Sequence, residues 1–139
     1  MVVYTKTRGI RNKNPFNIRR SKNSWRGKTA LNPDKDFERF TNIDYGLRAG
    51  FLLLRNGYLA KGYKTVRQII SKYAPAVEND VDAYCNFIYK NSPIYPGQEI
   101  LLQSLSFYHL CRCICKYESD YDLSYDRFRQ VINKFGLGF

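Results

Sequence analysis

One stretch of this chain constrains its fold more than any other. From Gln98 to about Tyr117, the apolar residues Ile100, Leu101, Leu102, Leu105, Phe107, Tyr108, Leu110 and Ile114 fall on nearly every face of the helix that their spacing predicts. A helix that is apolar all round has to be buried. Other elements must therefore surround it, and 139 residues suit one compact domain, 1–139. Hydrophobic residues make up 44% and aromatics 16%, which excludes an intrinsically disordered chain.

The surrounding elements fall into two regions. Residues 44–139 carry helical periodicity. Asp44 opens a helix with Leu47, Phe51, Leu54 and Tyr58 on one face, stopping near Gly57 or Gly62. Thr65 opens a second helix through Val66, Ile69, Ile70 and Tyr73, which must end before Pro75. Asp80 caps a third, with Val81, Tyr84, Cys85 and Ile88 as its stripe. Ser124 caps the last, whose inner face is Tyr125, Phe128, Val131, Ile132 and Phe135, with Gly136 as its stop. With the buried helix this makes about five. Residues 1–43 differ: short pieces at Phe16-Asn17-Ile18, Trp25 and Phe37–Phe40 sit among Asn, Gly and Pro, predicting loops and a small β-hairpin. The expected class is α+β, mainly α.

Charge separates the same two regions. The formal net charge is +11, and residues 1–28 hold nine Lys or Arg with no Asp or Glu. A field of one sign favours a polyanionic partner: nucleic acid, an anionic lipid surface or a cell-wall polymer. No apolar run is long enough to form a transmembrane segment. The first residues lack the apolar core of a secretory signal, so the chain is expected to be made in the bacterial cytoplasm without a signal peptide. Cys85, Cys111, Cys113 and Cys115 read as reduced, buried thiols. Without a Cys-x-x-Cys pair they predict no metal, and no phosphate-binding glycine loop or other cofactor motif occurs.

The residues suited to chemistry cluster near the N-terminus. In Asn14-Pro15-Phe16-Asn17-Ile18-Arg19, alternation puts Phe16 and Ile18 on one side and Asn17 and Arg19 on the other. Asn amides both donate and accept, as recognition of sugar hydroxyls and acetamido groups requires, and Trp25 offers a flat surface for a sugar ring. On the bland alternative, Asn14 and Asn17 satisfy loop backbone and Trp25 plugs the core. Glycoside cleavage needs a carboxylic acid to protonate the leaving oxygen. Glu38, between Phe37 and Phe40, and Glu78, in an irregular connection, are the candidate acids, with Asp80 as a substrate-binding or capping residue. Glu118, Asp120, Asp122 and Asp126 read as a solvated connection.

Arg8-Gly9-Ile10-Arg11-Asn12-Lys13-Asn14-Pro15-Phe16-Asn17-Ile18-Arg19, followed by Trp25-x-Gly27, Phe37-x-x-Phe40, Tyr45-Gly46-x-Arg48-Ala49, Thr65-Val66, Ala74-Pro75 and Glu78-Asn79-Asp80-x-x-x-Tyr84, resembles a family of small phage and prophage proteins. Those proteins carry an Asn-Pro-Gly-Asn-Ile-Arg signature and are described as virion structural or lysozyme-like. Phe16 stands here where that signature has glycine. More distantly, Asn14–Arg19 with Trp25-x-Gly27 is similar to an Asn-Leu-Phe-Gly-Ile-Lys stretch of bacterial cell-wall glucosaminidases, whose fold is lysozyme-like. The resemblance implies a lysozyme-like domain that contacts the peptidoglycan glycan strand and cleaves it as a glycosidase or lytic transglycosylase, with Asn14, Asn17, Arg19, Trp25 and Asp80 binding substrate. In those glucosaminidases the catalytic glutamate ends a helix before this stretch. Only 13 residues precede Asn14 here and none is acidic, so that residue does not carry over. Two other expectations stand beside the enzyme: a non-catalytic virion or assembly protein that holds other virion proteins on the same scaffold, and a nucleic-acid binder using the basic N-terminal region with Phe16 and Trp25 as stacking platforms.

Overall fold

A computed structural model describes residues 6–74 and 80–139. It is mainly helical. A four-residue α1 (Arg8–Arg11) is followed by α2 (Ile43–Leu52), α3 (Val66–Tyr73), α4 (Val81–Asn91), α5 (Leu105–Ser119) and α6 (Tyr125–Lys134). Between α2 and α3 the run continues as a π-helical stretch, Leu53–Tyr58, and a 3-10 turn, Leu59–Lys61, ending at Gly62 with φ +89°.

Local signals set most boundaries. Thr65 caps α3 through a reciprocal box with Gln68, Asp80 accepts from Ala83 N at the start of α4, and Ser124 accepts from Arg127 N at the start of α6. Two expectations need correcting. Asn42, not Asp44, caps α2, because the Asn42 side chain accepts from Tyr45 N and leaves the Asp44 carboxylate to pair with Arg127 and Lys134. The apolar helix starts at Leu105 rather than Gln98: Ser104 is its cap, and Leu101 and Leu105 are exposed. Even so, α5 buries Phe107, Leu110, Cys111, Cys113, Ile114 and Cys115 around more than half its circumference. All four thiols are free and buried.

In residues 12–41 the structure has isolated antiparallel bridges in place of a hairpin. Arg19 pairs with Phe37 and Lys28 with Phe40. Each paired stretch is interrupted after one or two residues by a turn, such as the one that Lys28 N closes onto Trp25 O, so no ladder propagates. Side chains supply the missing cross-links. Asn14, fully buried, donates from Nδ2 to Ile18 O and Glu38 O and accepts from Ile18 N, each at 3.0 Å.

The basic segment is tied to both ends of the fold. Arg8 Nε contacts Asp34 Oδ2 at 2.6 Å, and this guanidinium holds the Asp34 carboxyl well below the usual carboxylate range. On the other side α1 docks on the last turn of α5, where Thr7 Oγ1 donates to Ser119 O at 2.7 Å. Gly9 is required there, since a Cβ would fall 1.8 Å from Ser119 Oγ. That close approach brings the Asn14–Arg19 stretch beside the end of α5.

Candidate functional site

Where these two segments meet, the surface opens into a cleft of about 470 Å³. Asn17, Arg19, Asn23 and Trp25 come from the N-terminal region, Tyr58, Lys72 and Tyr73 from the middle helices, and Glu118 from the end of α5. Among the described residues lining it, Glu118 is the only acid. A larger cavity, about 620 Å³, lies between Leu102, Phe128, Arg129 and Phe139 and holds no carboxylate side chain.

Glu118 is half-buried and held from two sides. Asn17 Nδ2 donates to its Oε1 at 3.2 Å and to its backbone carbonyl at 3.0 Å, while Tyr84 OH donates to Oε2 at 2.8 Å. Burial raises the pKa of this carboxyl, and the two hydrogen bonds and the charge of Arg19 oppose that shift without cancelling it. Its place in the last turn of α5, at the negative end of the helix dipole, also disfavours the anion. The surrounding phenols remain protonated: burial, with the Glu118 charge second, pushes Tyr73 and Tyr84 well above the ordinary tyrosine value. The cleft thus holds one carboxyl with a strengthened grip on its proton.

Asn17 is built for this place. Its φ of +50° lies in the left-handed region, which Asn tolerates better than most residues. The turn aims its amide at Glu118, and Asn17 Oδ1 is buried without a hydrogen-bond partner among the described residues. Beneath it, Tyr73 OH donates to Phe16 O and fixes the turn from below. Trp25 is half-buried; it lines the cleft and also an adjoining depression of about 320 Å³ with Lys22, Ser24 and Lys28, so the indole forms a ridge between two hollows. Its Nε1 is enclosed without a partner. Arg19 lines the cleft with its guanidinium carbon 5.1 Å from the Phe37 ring centroid.

The cleft brings together three of the sequence candidates, Asn17, Arg19 and Trp25, and leaves out others. Asn14 does not face a ligand, because its amide is fully committed to backbone. Asp80 is a helix cap. Glu38 is fully buried and does not line the cleft; Lys28 Nζ approaches its Oε2 at 3.0 Å as an ion pair, although neither carboxylate oxygen accepts a hydrogen bond of good geometry. Glu78 lies outside the described residues. Glu118 was hidden among its acidic neighbours Asp120 and Asp122, which are exposed and pair with Lys116. The available signal was helical phase: in α5, Glu118 stands three and four residues beyond Cys115 and Ile114, on the buried side.

No protein-family model matches the chain. Over 96 residues the chain is 35% identical to Protein P5 of Pseudoalteromonas phage PM2. The match covers 67% of this chain, and the chain spans about 60% of the length of that curated relative. The chain is therefore similar to a phage protein. No helix among the described residues is long and apolar enough to cross a membrane.

Proposed function

We propose that the chain is a virion-associated phage protein with a lysozyme-like domain that binds the peptidoglycan glycan strand and cleaves it, with Glu118 as the acid. The observation that carries this reading is the meeting of Glu118 with Asn17 in one cleft. In the glucosaminidases that Asn14–Arg19 resembles, a glutamate at the end of a helix serves this stretch. Here Glu118, at the end of α5, stands beside it in the opposite chain order. The likeness to a phage protein supports the virion setting.

The chemistry follows from a single carboxyl. Glu118 donates its proton to the glycosidic oxygen as the bond from that oxygen to the anomeric carbon breaks, leaving an oxocarbenium-like centre. The Glu118 carboxylate then accepts the proton of the attacking hydroxyl, either water or the sugar's own C6 hydroxyl, as the new bond to the anomeric carbon forms. With no second acid among the described lining residues, positive charge at that carbon is met by the substrate's acetamido oxygen. Asn17 and Asn23 suit the amide and hydroxyl groups of amino sugars, and Trp25 offers a stacking ridge.

The test is release of soluble fragments from purified peptidoglycan, analysed by mass spectrometry. Wild type should release glycan fragments, Glu118→Gln should lose release by at least about a hundredfold, and Glu38→Gln should keep it if the protein remains folded. Undiminished release by Glu118→Gln removes this residue from the chemistry. A folded wild type that sediments with peptidoglycan but releases nothing leaves a binding scaffold, a reading favoured by the engagement of both Glu118 oxygens by Asn17 and Tyr84.

A further inference from the structure

Around Phe135, away from the cleft, Arg26, Arg48 and Lys134 gather with Asp44 as their one nearby carboxylate among the described residues. The guanidinium carbons of Arg26 and Arg48 lie 5.5 Å and 5.8 Å from the Phe135 ring centroid. Arg26 is also 5.9 Å from the centroid of Tyr45, whose ring packs on Phe135 at 5.4 Å. Lys134 reaches the same Phe135 ring at 5.4 Å, but Asp44 neutralises it at 2.9 Å, and the other oxygen of Asp44 takes Arg127 at 2.5 Å. That carboxylate is ion-paired through both oxygens, although Oδ1 accepts no hydrogen bond of good geometry among the described residues. Arg26 and Arg48 have no acidic partner among the described residues.

Arg48 is the more telling of the two. It is half-buried, and its Nε is enclosed by protein without an acceptor. Burial lowers its pKa, and the charges of Arg26 and then Arg55 lower it further. Arg55 itself is engaged by Leu137 O at 3.2 Å. Cations held this way repel one another and lose hydration, a cost that an anion between them would offset. Guanidinium groups are suited to tetrahedral oxyanions because their planar forks donate two parallel hydrogen bonds and stay charged at any physiological pH.

We propose that Arg26 and Arg48, seated on the Phe135 and Tyr45 rings, form a binding site for a phosphate group. The exposed Arg26 captures the anion, and the half-buried Arg48 gives the site its fixed direction. Free phosphate and the headgroup of an anionic phospholipid share this chemistry; the half-exposed Phe135 and Leu137 beside the site supply apolar surface that a headgroup would also use. Neither arginine lines the cleft, so the proposal stands or falls separately from the hydrolase reading.

The experiment compares the thermal melting of the full chain in sodium phosphate and in sodium chloride at equal ionic strength, and flotation with phosphatidylglycerol and phosphatidylcholine vesicles. A rise in Tm specific to phosphate, absent in Arg26→Gln and Arg48→Gln but kept in the control Lys61→Gln/Lys90→Gln that removes the same type of charge elsewhere, is the expected result. Arg26 is exposed, so Arg26→Gln decides the matter even if Arg48→Gln does not fold. Flotation with phosphatidylglycerol alone, lost in Arg26→Gln, assigns the phosphate to a lipid; a phosphate-specific Tm rise without flotation assigns it to the free ion. Equal melting in both salts with no selective flotation, or effects that persist in Arg26→Gln, overturns the site. Glu118→Gln should leave the phosphate-specific difference in Tm and the flotation unchanged, whatever its effect on Tm itself.

Discussion

At the scale of single residues, Glu118 is where stability and the proposed chemistry meet. Its pKa is raised in the fold, so the neutral carboxyl is the form that the folded state favours. That contribution to stability is fully present below the ordinary glutamate range and is lost as pH rises through the raised value. Glu118→Gln cannot ionise, so it should gain Tm relative to wild type as pH rises above the ordinary glutamate value of about 4.3; a Tm difference that stays constant with pH would show that burial does not govern this carboxyl. Asn17→Asp places a second carboxylate on the same proton. It should move the alkaline limb of any lytic pH profile upward, and an unmoved limb means that the Asn17 contact does not tune the acid. Asn17 was legible as a polar residue turned away from Phe16 and Ile18, but the short strand expected there is a turn with Asn17 at φ +50°, and neither that backbone nor its partner is encoded within its own segment.

At the scale of elements, caps and close approaches carry the predictions. Thr65→Ala removes one half of the box at the start of α3 and should cost about 1 kcal/mol in chemical denaturation. Gly50 in α2 faces the Phe16 ring, with a Cβ falling 2.0 Å from it, so Gly50→Ala should cost about 1–3 kcal/mol. Combined with Phe16→Leu, which vacates part of that space, the double variant should lose less than the sum of the two single variants; strict additivity would mean that the two sites do not share the contact. The Phe16 ring fills the space that Gly50 leaves and packs edge-on against Phe51 at 5.9 Å. The caps of α3, α4 and α6 were readable because the capping residue and the amide it serves are only two or three positions apart. The small hairpin was not realised, because Asn14 and the turns around Gly27 satisfy backbone groups that a ladder would have used.

At the scale of the whole molecule, the basic N-terminal segment remains the dominant electrostatic feature, though part of it is internally neutralised by Asp34, Asp36 and Glu38. The proposed binding to peptidoglycan should therefore depend on salt: co-sedimentation should weaken clearly between about 0.05 and about 0.5 M salt, and salt-insensitive retention would assign binding to the cleft alone. The sequence by itself determined the helical class, the faces that α3 and α4 bury, that of α6 except for Tyr125, which is exposed, and the charge asymmetry, because periodicity, capping and net charge are properties of neighbouring residues or of simple sums. Only the tertiary structure decided which acid faces the cleft. Asn17 and Glu118 stand 101 residues apart and meet because Gly9 lets α1 settle onto the end of α5. A contact between distant segments depends on how whole elements pack, and no local pattern in either segment records it.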